Sequence, residues 1–83
     1  MEEVKNLENQ NDEAIGVYIK LNSNNEIVEI CSHIFITDLS GWVFVDKGHG
    51  DRYAHAQSQY LQHPILKDGK FNYVYENGEI TKK

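Results

Sequence analysis

The chain predicts an α+β fold that is mainly β: a small antiparallel sheet of hairpins with one short helix, about residues 51–62, packed on it. Three observations carry this expectation. Apolar residues alternate with polar ones over 17–21 and again over 71–75, as half-buried strands require. Asparagine- and glycine-rich turns separate the alternating runs. A single stretch, Tyr53, Ala56, Gln57, Tyr60 and Leu61, has helical spacing instead.

Taken in order, residues 1–13 are polar and acidic, with only Val4 and Leu7 to support structure, and read as a flexible tail before one β-rich domain over 14–83. Val17, Ile19 and Leu21 then share one face against Tyr18 and Lys20. Asn22-Ser23-Asn24-Asn25 supplies a turn, and Glu26 to Cys31 forms the returning strand of a hairpin. Ile34 to Thr37 reads as a third strand and Asp38 to Gly41 as a turn. Trp42 and Phe44 next point one way and Val43 and Val45 the other, which predicts a strand in the middle of the sheet. Gly48 and Gly50 hinge the chain, Asp51 is placed to cap the helix, and Pro64 ends it by disfavouring helical geometry at His63. Phe71, Tyr73 and Tyr75 form a late strand, and Glu76-Asn77-Gly78-Glu79 turns the chain into a short last strand at Ile80-Thr81.

Size and charge exclude several functions. At 83 residues the chain makes one domain at most, burying about 60% of its unfolded surface, too little to enclose a deep substrate cavity. There is no run of about 18 apolar residues, so a membrane span is not expected, and the first residues lack the basic start and apolar stretch of a signal peptide. The lone Cys31 excludes an internal disulfide and a thiolate zinc site. The net charge is −5, of which Glu2, Glu3, Glu8, Asp12 and Glu13 against Lys5 place −4 in the first fourteen residues. Lys20, Lys47, Arg52, Lys67 and Lys70 are scattered and only Lys82 and Lys83 cluster, so no basic face for nucleic acid is expected.

The chemistry-bearing residues are few. His49, Asp51 and His55, with Asp46 upstream, are the weak candidates for a metal site; Asp51 and His55 are four apart on the expected helix. The alternative is that Asp51 caps the helix and pairs with His55 at the surface, and no His-Glu-x-x-His or Cys-x-x-Cys pattern favours the metal. Cys31 and His33 stand two apart with nothing to supply an oxyanion hole. Gly48-x-Gly50 lacks the lysine and further glycines of a phosphate loop. No catalytic residue and no cofactor is assigned. The aromatics are more telling: a core this small cannot hide all of them, so Trp42, Tyr53, His55, Tyr60, Tyr73 and Tyr75 are the expected protein-contact surface. Trp42→Ala is expected to be among the most damaging single changes.

Gly41-Trp42, the loop Asp46-Lys47-Gly48-His49-Gly50-Asp51, the helix start Tyr53-Ala54-His55-Ala56-Gln57 and the closing Phe71-Asn72-Tyr73-Val74-Tyr75 together resemble a small module encoded among tail genes of phages and prophages of Gram-positive bacteria. The similarity covers roughly 17–75 and leaves the acidic leader outside it. The resemblance implies a non-enzymatic structural or assembly protein, tail-associated, that contacts another tail component or itself. Its location would be the host cytoplasm when made, with the virion as a further destination. Two other readings compete: a small acidic inhibitor that binds a host defence protein, and a metal-binding enzyme at His49, Asp51 and His55.

Overall fold

The computed structural model describes residues 14–83; the expected acidic tail lies outside the described residues. Strands β1 (Ile15–Leu21) and β2 (Ile27–Ser32) form the expected hairpin. Its turn is built by one side chain: Asn22 Oδ1 accepts the backbone N–H groups of Asn24 and Glu26, at 2.9 and 3.0 Å, and Asn25 takes a φ of 63°. Asparagine tolerates that left-handed geometry better than most residues do. β3 (Val43–Gly48) pairs antiparallel with the other side of β1, giving the order β2-β1-β3.

β3 is therefore an edge strand, whereas its large residues on both faces predicted a central one. The central position belongs to β1, because the segment between β2 and β3 crosses over it. Ile34 to Thr37, expected to be a strand, instead lies in this crossing: His33–Phe35 is a 3₁₀ turn closed by the Ile36 N–H on the His33 carbonyl at 3.1 Å. Ser32 Oγ accepts the Ile34 N–H, and this side-chain capping diverts the backbone from extended geometry. Residues opposite one another across strands share a face. Val17 lies opposite Ser32 and Asp46, whereas Tyr18 lies opposite Cys31 and Phe44. The crossing segment runs over the Tyr18 side, where Lys20 sits 4.8 Å from the Trp42 ring centre and Phe44 meets Tyr18 edge-on at 5.5 Å.

The opposite face carries the core. Val17, Ile19 and Ile27 are fully buried, and Ile30, Ala56 and Tyr73 nearly so. Ala56 comes from the helical segment, which departs from expectation: two four-residue helices, α1 (Asp51–Ala54) and α2 (Ala56–Gln59), replace one helix over 51–62. The chain leaves helical geometry at His55 (φ −122°, ψ 50°), whose carbonyl then starts α2 by accepting the Ser58 and Gln59 N–H groups. A run of His, Gln, Ser and Tyr has only middling helix propensity, and so short a helix depends on its packing. Asp51 does not cap α1; Gly50 holds the N-cap position, at φ 99° and without a side-chain cap bond.

After the helices comes a small hairpin that the sequence reading omitted, β4 (Leu66–Lys67) and β5 (Lys70–Phe71), turned by Asp68-Gly69 with both φ values positive. Asn72 interrupts the expected 71–75 strand. β6 (Tyr73–Glu76) and β7 (Glu79–Lys82) follow as the expected last hairpin, with Asn77 and Gly78 at φ 55° and 78° in its turn. This hairpin is tied to the first one: Glu26 bridges Val74, the Tyr75 N–H reaches the Asn25 carbonyl at 2.9 Å, and Lys83 forms an ion pair with Glu26. That pair draws the Glu26 carboxyl below its usual range.

Candidate functional site

Asp46, at the end of the Val17 face, organises the surroundings of β3. Its Oδ2 accepts the Tyr60 hydroxyl at 2.8 Å and the Tyr53 hydroxyl at 3.4 Å, and its Oδ1 accepts the Lys47 N–H at 2.7 Å. Three features bring the tyrosines there. Gly50 turns the chain from β3 into α1. Gly48 has no side chain where the Tyr53 ring lies; a Cβ there would stand 2.5 Å from ring atoms. Finally, Tyr53 in α1 and Tyr60 just after α2 lie on either side of the break at His55, and their rings pack edge-on against each other, bringing both hydroxyls to one carboxylate.

The two rings meet edge-on with centres 5.7 Å apart. Arg52 covers them, its guanidinium carbon 4.2 Å from the Tyr60 ring centre and its Nη1 donating to the Tyr53 hydroxyl at 3.2 Å. A cation over an aromatic face is held by the ring quadrupole. The Tyr60 hydroxyl holds the Asp46 carboxyl below its usual range despite partial burial, helped by the Lys47 N–H, Tyr53 and Arg52. Burial first, and then the adjacent Asp46 charge, push the Tyr60 hydroxyl up to about 12.

Next to this network is a groove of about 600 Å³ between the residues following α2 and the β6–β7 hairpin. Tyr60, Tyr73 and Tyr75 line it, with Arg52, Glu79 and Lys82 at its margins. Tyr73 is buried and its hydroxyl accepts the His63 N–H at 3.1 Å, so this wall is also fixed. The groove offers aromatic surface with charges of both signs around it.

Of the expected contact residues, Tyr60, Tyr73 and Tyr75 come together in the groove, and Tyr53 stands behind Tyr60 on the same carboxylate. Trp42 and His55 are not part of it. Trp42 is half-buried beneath Lys20, and the exposed His55 ring lies 6.3 Å from that of Phe35. The sequence reading assigned Asp46 only to the metal candidates and overlooked Arg52; no spacing marks the cluster, because it joins a strand residue to two separate short helices.

The alternative chemistries find little support in the geometry. Among the described residues, no three His, Cys, Asp or Glu side chains stand together as a metal would need. Asp51 and His55 keep the backbone bond of a helical turn, His55 N–H to the Asp51 carbonyl at 2.8 Å, but among the described residues no third such side chain joins them. Cys31 and His33 do not form a reactive pair: His33 Nδ1 accepts the Gly16 N–H at 2.8 Å, while the Cys31 thiol approaches Gln57 Oε1 at 4.0 Å and is raised by burial. Among the described residues no helix is long and apolar enough to cross a membrane. No family model, curated protein or solved structure matches the chain.

Proposed function

We propose that the chain is a non-enzymatic, tail-associated structural or assembly protein of a phage or prophage, acting through protein–protein contacts. The observation that carries this reading is the tyrosine groove. Tyr60 and Tyr73 are held by hydrogen bonds before any partner arrives, so binding would cost little side-chain ordering. Tyrosine is also among the residues that dominate binding energy at interfaces. The resemblance of the Gly-Trp strand, the acidic loop and the helix start to phage tail modules supplies the setting.

The test is affinity capture by the immobilised full-length chain from a lysate of a phage-producing Gram-positive host, with the bound proteins identified by mass spectrometry. Tail proteins are expected, and Tyr75→Ala, which leaves the Asp46 network intact, should lose them. Repeated recovery of host defence proteins alone, or capture unaffected by Tyr75→Ala, would overturn the reading.

A further inference from the structure

The groove leaves unexplained the apolar surface across the sheet from it. Ile34, Phe35 and Leu39 of the crossing segment are 52%, 55% and 43% exposed, and Phe44, beside Tyr18 on the same side of the sheet, is 49% exposed. A shallow groove of about 540 Å³ runs along this segment, with Phe35, Ile36 and Trp42 in its lining. Soluble monomers seldom leave large contiguous apolar patches in water unless they are contact surfaces.

We propose that this surface is a two-fold interface between two copies of the chain, separate from the tyrosine groove and independent of the function assigned to it. Area and charge favour a second copy. An aromatic side chain offers about 150–250 Å², so the two half-exposed phenylalanines, with the smaller Ile34 and Leu39, contribute at most roughly 400 Å² per copy. Two copies, with Trp42, Ile36 and Tyr18 alongside, reach the roughly 1,000 Å² that a specific interface requires. A two-fold interface must also complement itself. Lys20 lies over Trp42, opposite Glu29 on the neighbouring strand and within electrostatic reach of Asp38, so the charges around Trp42 are already largely paired within one copy. The residues after the leader sum to only −1, so two such bodies repel weakly.

The contact is made by faces and not by strand addition. β3 carries a bulge where its register with β1 shifts, and the Lys47 N–H is already taken by Asp46 Oδ1. A bulge and a charged side chain are the usual means of blunting a sheet edge.

Sedimentation equilibrium of the full chain over a wide concentration range tests the proposal. The mass should rise from 9.6 kDa towards twice that value. Phe35→Glu and Phe44→Glu, separately and together, should weaken association by about tenfold or more, with circular dichroism and melting showing that each variant stays folded. Tyr75→Ala should associate like the parent, which separates this interface from the groove. A parent that remains at 9.6 kDa throughout, folded glutamate variants that associate as the parent does, or loss of association in Tyr75→Ala alone would each overturn the proposal.

Discussion

Asp46 satisfies three donors and is more deeply committed than any other carboxylate on the surface beside the groove. Tyr60→Phe removes its shortest side-chain bond and leaves the ring in place, so a loss of about 1–2 kcal/mol is expected in urea unfolding at neutral pH. The pH dependence has two limbs. Tyr60 holds its proton more tightly folded than unfolded, so its contribution is complete below pH 10 and lost as pH rises towards about 12. Asp46 has the opposite sense: its contribution is present above the ordinary carboxylate pKa and lost as pH falls through its lower folded value. Urea unfolding across pH should show both limbs, and Tyr60→Phe should abolish the alkaline one. These residues were partly legible in the sequence. Tyr53 and Tyr60 were singled out as aromatics a small core could not hide, but their shared carboxylate was not legible, because it depends on where β3 lies relative to α1 and α2.

At the scale of elements, local chemistry was readable and placement was not. The Asn22–Asn25 and Asn77-Gly78 turns were evident because a few residues with special backbone freedom determine them. The crossing segment escaped because Ile34, Phe35 and Ile36 have the composition of a strand, while the Ser32 cap and the strand order keep them out of the sheet. The break at His55 was equally hidden, since Tyr53, Ala56 and Tyr60 keep helical spacing across it. One joint should be especially intolerant of change. Gly48→Ala drives a methyl group into the Tyr53 ring, and overpacking of this kind costs about 1–3 kcal/mol. Thermal unfolding should show the loss, and Gly48→Ala combined with Tyr53→Ala should recover part of it, because the colliding ring is gone.

For the whole molecule, the α+β, mainly β class followed from alternation and turns, and the order of importance among large side chains did not. Trp42 is the largest side chain and its truncation was expected to be among the most damaging changes, yet it is half-buried under Lys20. Ile19 and Ile27 are fully enclosed. Ile19→Ala should therefore cost about 2–5 kcal/mol, enough to unfold much of a domain this small. Trp42→Ala should cost clearly less, and denaturant midpoints of the two variants would establish the order.

The passage of residues 33–42 across β1 also constrains the order of assembly. β1 and β2 can meet through the five residues 22–26, whereas β3 reaches β1 only after a longer loop has been drawn over the sheet. Closing that loop is an added entropic step, and a two-stranded hairpin alone is marginal in water. The first hairpin is thus expected to form transiently and to persist once Phe44 packs on Tyr18. In hydrogen exchange, amides of β1 should outlast those of β3, and the docking of the third strand should set the refolding rate.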